Sequence, residues 1–298
     1  MKKRSLLRNL INNCKPYIWL APSIILMTVF IIVPIGYVFY MSLSNVTKTG
    51  RVNGFSGFGN FASVLSNPTF ALVIKNTLVW TVATVGISTL LGFIIALLLN
   101  NNFKGRKIAR AILVLPWATT LVVQACVWKF IIDTDYGALN AILRSLGIIS
   151  SNINWAPTPE AFFAWEIACA VFATVPFVCF TSLSGLQSID PSLYEAANID
   201  GCNSRQKLWH VTIPLVRPSL TVSTVLNIIY VFNSFPIVWN ITRGDPASRT
   251  DTIVTYLYKL AFYNGEQGEA AAVSVVGFLI LLICASIYMI TTLKKGES

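Results

Sequence analysis

Asp190-Pro191-Ser192-Leu193-Tyr194-Glu195-Ala196-Ala197-Asn198-Ile199-Asp200-Gly201, followed through Trp209 and His210 by Val211-Thr212-Ile213-Pro214, is a polar stretch held between two long apolar ones. A loop joining two membrane spans needs only a few polar residues, yet this one carries helix signals of its own. Asp190 can cap the free backbone N–H groups of a short helix, and Pro191 suits its first position. Leu193, Ala196 and Ala197 fall on one face, where the alanines would let a partner surface come close. Gly201 is placed to end that helix in a left-handed turn. Ser204 is then expected to cap a second helix that stops before Pro214. Such a folded hairpin on a membrane face presents a surface for a partner to grip.

The apolar flanks extend into a membrane-spanning chain. Of 298 residues, 55% are hydrophobic and 11% are charged, too little charge to cover a soluble domain of this length. Six segments are long enough to span a bilayer: 17–42, 71–99, 108–132, 161–183, 219–241 and 270–293. About 20 helical residues cross the hydrocarbon core, so each suffices, and the second is long enough to tilt. The expected organisation is a terminal segment 1–16, a six-span domain 17–293 containing the polar loop 186–218, and a tail 294–298. The fold class is therefore an all-α membrane protein.

Orientation follows from Lys and Arg. Lys2, Lys3, Arg4, Arg8 and Lys15 precede the first span with no acid among them. Lys104, Arg106, Lys107 and Arg110 lie between spans two and three, again with no acid. The polar loop adds Arg205, Lys207 and Arg217, and the tail adds Lys294 and Lys295. With six spans these regions share one side, which places both termini and the polar loop in the cytoplasm. The net charge of +10 is thus mostly an orientation signal and not a nucleic-acid footprint. The first apolar run is too long for a secretory signal and lacks a small-residue cleavage pattern. Of the six cysteines, Cys126, Cys169, Cys179 and Cys284 fall in spans and Cys14 and Cys202 on the reducing side, so none points to a disulfide. The Asn-x-Thr sites at Asn45 and Asn240 are too short a motif to carry weight.

The polar loop resembles the EAA loop of permease subunits in ATP-binding-cassette (ABC) importers, whose pattern is Glu-Ala-Ala, three residues, Gly, nine residues, Ile-x-Leu-Pro. Glu195, Ala196, Ala197, Gly201 and Pro214 match at the right spacing, with Val211 and Ile213 as conservative replacements. Further stretches resemble carbohydrate permeases: 57–61, 75–80, 103–107, 113–117, Pro176-Phe177 leading into 185–189, and Phe232-Asn233-Ser234-Phe235. The nearest subgroup is the maltose-type and glycerol-phosphate-type permeases. The resemblance implies a type I importer permease fold in a bacterial or archaeal cell membrane. It implies that Glu195, Ala196, Ala197, Asp200, Gly201 and Pro214 couple to a separate ATPase. It also implies two ATPase subunits, a second permease chain, an extracytoplasmic substrate-binding protein and a sugar or oligosaccharide substrate. ATP and magnesium would be bound by the ATPases and no cofactor by this chain. The sequence has no phosphate-binding G-x-x-x-x-G-K-[ST] loop and no metal-ligand cluster, and its single histidine, His210, reads as a surface residue. No catalytic chemistry is expected here.

Polar side chains at membrane depth face a partner or a water-filled cavity, because facing lipid is costly. Asn227, Tyr230 and Ser234, with Thr224, share one face of span five, and Asn233 sits beside Ser234. Trp117, Thr120 and Gln124 in span three, and Phe172, Thr174 and Phe177 in span four, complete the candidate substrate path. Amides that donate and accept, with rings that stack, suit a sugar; the same Asn, Gln and Thr could instead bridge helices. The scarcity of basic residues at that depth disfavours a phosphate. Glu166 in span four is expected to meet Lys129 in span three, a ligand hydroxyl or water. The rival class is an ion-gradient-driven secondary transporter, which would want inverted repeats and buried carboxylates. A membrane enzyme would need a catalytic pair that is not evident, and the EAA-like loop argues against an exporter.

Overall fold

The computed structural model describes residues 20–294, about three quarters of them helical. The basic residues before the first span, the expected start of that span at Tyr17, and the tail beyond Lys294 lie outside the described residues. Two compact units are present. One comprises the chain up to Val64 with Leu260–Val275; the other comprises Leu65–Lys259 with the chain from Val276 onward.

In the first unit, helix α1 (Leu20–Ser42) is apolar, and none of the residues in its most apolar stretch is buried among the described residues. A π turn at Thr28–Ile32 interrupts it, closed by the Val33 N–H bonding the Thr28 carbonyl. Pro34 follows at once. Its ring would strike the carbonyl four residues back in a regular helix, and the widened turn relieves that clash. An antiparallel ribbon of β1 (Ser44–Val46) and β2 (Val52–Phe55) comes next, with Ser44 opposite Phe55 and Val46 opposite Val52. Nothing in the residue pattern foretold this small departure from an all-helical chain. Asn60, in helix α2 (Gly59–Ser66), fastens it by donating to the Ser42 and Ser44 carbonyls, both at 2.9 Å.

The second unit is built around helix α7 (Pro159–Gln187), which Thr158 caps by accepting from the Ala161 N–H at 3.2 Å. Helix α3 (Pro68–Asn100), capped by Asn67, packs along it. At 33 residues α3 is about 50 Å long, more than a bilayer core requires. Glycines let the backbones close in on both sides of α7. A Cβ on Gly92 would lie 2.8 Å from Val178. One on Gly185 would lie 2.6 Å from the Ser219 hydroxyl on helix α10 (Ile213–Phe232). Without a hydrophobic drive between helices in lipid, such small-residue contacts supply the packing. Trp80 is fully buried among Phe163, Val231 and Ile237, and its indole N–H reaches the Val231 carbonyl at 2.9 Å.

Two expected spans are not single helices. Segment 108–132 is divided into α4 (Arg106–Ala118) and α5 (Leu121–Ile131), bent by 99°. Pro116 and the extended backbone at Thr119 and Thr120 end the first piece. Thr120 then caps the second through the Val123 N–H. Gln124 donates to the carbonyls of Pro116 at 2.6 Å and Thr119 at 3.2 Å, replacing bonds that the bend removes. Segment 219–241 likewise stops at Phe232 and resumes as α11 (Pro236–Ile241), because Pro236 suits a helix start and not its interior. Among the described residues, five helices are long and apolar enough to span a membrane, six with the bent pair as one. Helices α6 (Ala138–Ser145) and α12 (Ile253–Tyr258) are too short to span, and the last helix is α13 (Gln267–Lys294).

Candidate coupling loop and polar cleft

The loop after α7 folds as two short helices. Asp190 accepts from the Ser192 N–H at 2.9 Å and starts α8 (Pro191–Ile199), and that backbone bond holds its carboxyl below the usual aspartate range. Gly201, at φ +76°, ends α8: its N–H bonds the Asn198 carbonyl, and the Cys202 N–H reaches back to Ala197 at 2.9 Å. Those paired bonds satisfy carbonyls that a helix end otherwise leaves bare.

The second helix departs from expectation in two ways. Asn203, not Ser204, is the cap of α9 (Ser204–Lys207). It accepts from the Gln206 N–H at 2.9 Å, while the Gln206 side chain accepts from the Asn203 N–H at 2.8 Å. An amide at that position with Gln three residues later closes a reciprocal box that Ser204 cannot. Nor does the helix stop before Pro214. It passes through a π turn, Leu208–Thr212, closed by the Ile213 N–H on the Leu208 carbonyl, and runs straight into α10. The arrangement repeats the one before Pro34: a proline one residue past a widened turn. Two side-chain bonds brace the hairpin, Tyr194 to Thr212 at 3.0 Å and Lys207 to Asn198 at 2.8 Å.

Glu195, Ala196, Asp200, Gly201 and Pro214 are exposed, whereas Ala197 is buried against the hairpin. The two alanines therefore serve different sides of α8, and Leu193 is exposed with Ala196. Ile199 is 87% exposed and Trp209 is also open, so the hairpin presents apolar side chains that nothing among the described residues covers.

Deeper in the bundle, a cleft of about 370 Å³ opens between α4, α7 and α10. Trp117, Thr174, Phe177, Asn227 and Tyr230 line it, joined by Ala173 and Leu226, which carry no polar signal in the sequence. The rings of Trp117 and Phe177 stand 6.3 Å apart, and Trp117 and Tyr230 are each 52% exposed. Asn227 donates to the Ser88 hydroxyl of α3 at 2.8 Å, and its carbonyl oxygen is buried without a partner. It is thus a helix bridge whose own acceptor is left unpaired among the described residues.

The other expected path residues lie elsewhere. Thr120 and Gln124 secure the bend of span three. Phe172 meets Trp128 with ring centroids 6.0 Å apart and planes tilted by 57°, and lines a different, apolar groove. Thr224 lines a third, apolar cleft between α3, α10 and α13: three residues turn the helix by about 300°, and the remaining offset of about 60° from Asn227 is enough to put the two in neighbouring clefts. Asn233 is exposed and bonds the Ile229 carbonyl at 2.8 Å, while Ser234 is buried in the break before α11.

Glu166 does not pair with Lys129, which is exposed. The carboxylate is fully buried and accepts from the Thr242 hydroxyl at 2.6 Å; Thr242 in turn meets Thr250 at 2.7 Å. Beside them Lys259 pairs with the buried Asp251 at 2.9 Å. No pattern of neighbouring residues marks this network, because its members lie on α7, on the loop 242–252 and at Lys259, joined only by folding.

A helical bundle with a polar, aromatic cleft inside and a braced hairpin on one face defines a membrane transport subunit. Residues 88–293 match the binding-protein-dependent transport system inner membrane component family, and the chain belongs to it. This is a permease family, not an enzyme family, and membership disfavours the ion-driven carrier. Over 287 residues the chain is 39% identical to a probable ABC transporter permease of Brucella suis, covering 96% of this chain and 99% of that one. It is 35% identical to the trehalose/maltose transport system permease protein MalF of Thermococcus litoralis, over 92% of each. The fold matches that of a bacterial ABC transporter involved in the import of the acidic polysaccharide alginate. TM-score is 0.83 at 22% identity, over 97% of this chain and 99% of that one. A second structure of the alginate transporter, in complex with alginate pentasaccharide-bound periplasmic protein, gives 0.79 at 22% identity over 95% of each. The type I importer permease fold expected from the EAA-like loop is therefore the fold of this chain.

Proposed function

We propose that this permease forms half of the translocation pathway of an ATP-driven importer of sugars or oligosaccharides. The cleft between α4, α7 and α10 carries the reading. Trp117, Phe177 and Tyr230 offer faces to the C–H surfaces of a sugar, and Asn227 and Thr174 offer partners to its hydroxyls. Trp117 and Tyr230 are open to one side, which suits a site completed by a second permease chain. The names of relatives in trehalose/maltose and alginate transport support the substrate class. The lining has no basic side chain to favour a phosphate.

The hairpin Asp190–Pro214 docks on one of two ATPase subunits through Glu195, Ala196, Asp200 and the exposed Ile199. Closure of the ATPases drives the bundle between inward- and outward-open states. The extracytoplasmic binding protein delivers sugar to the opposite face. Both termini and the hairpin are cytoplasmic in the cell membrane of a bacterium or archaeon.

Reconstitution with the partner subunits tests this reading. Asn227→Ala and Tyr230→Ala should each cut sugar uptake at least tenfold while the complex still assembles. Gly201→Asp should lose the ATPase on purification. Uptake unchanged in both cleft variants would sink the pathway assignment, and ATPase retained by Gly201→Asp would sink the coupling assignment.

A further inference from the structure

Arg106 and Arg110 stand one turn apart at the start of α4. The Gln187 amide at the end of α7, with its oxygen turned toward them, accepts from Arg106 Nη2 at 3.0 Å and Arg110 Nη2 at 3.1 Å. Arg106 Nη1 also donates to Asn102 at 3.1 Å. The Nε atom of each arginine is buried with no hydrogen-bond partner among the described residues. No carboxylate among the described residues forms an ion pair with either guanidinium. Two half-buried cations converging on one neutral amide leave a concentrated positive charge with unused donors, an arrangement that an anion would complete.

A groove of about 910 Å³ between α3, α4 and α7 begins beside this pair. Ala109 and Leu113 line it from the same face of α4 that carries the arginines. Leu99, Ile95, Leu91 and finally Ala83 continue it along α3. Ala83 and Leu99 are sixteen positions apart, about 24 Å along the axis. One leaflet of the hydrocarbon core is about 15 Å thick, so the groove has room for a whole acyl chain.

We propose that this is a binding site for an anionic phospholipid, its phosphate on Arg106 and Arg110 and one acyl chain in the groove. The guanidinium fork matches phosphate geometry, and basic pockets between spans suit acidic headgroups. A soluble anion has no use for an apolar groove, and a protein helix seated there would have to bring its own acid. The site faces the same side as the coupling hairpin, since Gln187 precedes Asp190 by three residues. A lipid held there would brace α4 against α7 beside that hairpin.

Native mass spectrometry of the assembled complex tests it, with phosphatidylglycerol or phosphatidylcholine added. Wild type should retain phosphatidylglycerol roughly thirtyfold more strongly, a preference that collapses as salt is raised. Arg106→Gln with Arg110→Gln should erase the preference. Ala109→Phe, which narrows the groove and spares both arginines, should weaken retention of the lipid. Equal retention of the two lipids by wild type overturns the proposal without recourse to any variant. So does phosphatidylglycerol retention that survives the double substitution. Displacement of the lipid by millimolar inorganic phosphate, with Ala109→Phe indistinguishable from wild type, would reduce the site to a phosphate site and also overturn it.

Discussion

Among the described residues, Thr242 is the one hydrogen-bond donor to the buried carboxyl of Glu166, at 2.6 Å. Thr242→Val keeps the shape and removes that bond, leaving a buried acceptor with both oxygens bare. The expected loss is about 2 kcal/mol of stability, read as earlier thermal unfolding in detergent. Glu166→Gln, which can still accept from Thr242, should lose much less. Asp190 makes a different prediction. Its carboxyl sits below the ordinary value of 3.8 because the Ser192 N–H, and then the Ser192 hydroxyl, bond it. A depressed acid contributes fully above its unfolded pKa and loses the contribution as pH falls through the native one. Hydrogen exchange in the first turn of α8, corrected for intrinsic rates, should therefore lose protection below about pH 3.8 in wild type. Asp190→Asn keeps a cap but carries no such titration, so its protection should stay flat.

At the scale of elements, four prolines mark where helices change character, whereas Pro176 and Pro218 sit inside continuing ones. Pro34 and Pro214 each follow a π turn within a continuing helix, while Pro116 and Pro236 accompany real breaks. The difference lies in what answers the lost bonds. A π turn absorbs a single proline without freeing the chain, whereas the 99° bend of span three needs Gln124 to reach two carbonyls. Gln124→Leu should leave those carbonyls unanswered and cost about 2–3 kcal/mol, seen as a lower melting temperature. An unchanged melt would show that water serves the bend. The sequence showed where apolar runs begin and end to within a few residues. It could not show the bend, because Gln124 has the same spacing from Trp117 whether it lines a path or ties a break.

Across the whole molecule, α7 is the shared wall: α3 packs on it at Gly92, α10 at Gly185, and the cleft opens against it at Thr174 and Phe177. Gly92→Val would put a side chain into Val178 and the Cys179 backbone, forcing α3 away from α7. The expected cost is about 1–3 kcal/mol. Assembly yield on purification should fall with it, while a substitution at the open surface of α3, such as Leu90→Ala, should leave yield alone.

The sequence by itself determined the apolar segments, the capped hairpin and its Gly201 turn, and the family those features announce. Each is written in neighbouring residues: a run of apolar side chains, a cap beside a proline, a glycine where only φ > 0 closes the helix. Tertiary structure alone decided which side chains share a cavity. Thr224 and Asn227 lie three residues apart yet enter different clefts, and Glu166 passes over Lys129 for a threonine 76 residues away. A helix fixes the direction of its side chains only relative to its own axis. What each one meets depends on how α3, α4, α7 and α10 are rotated about theirs, which small residues such as Gly92 and Gly185 settle by letting the backbones touch.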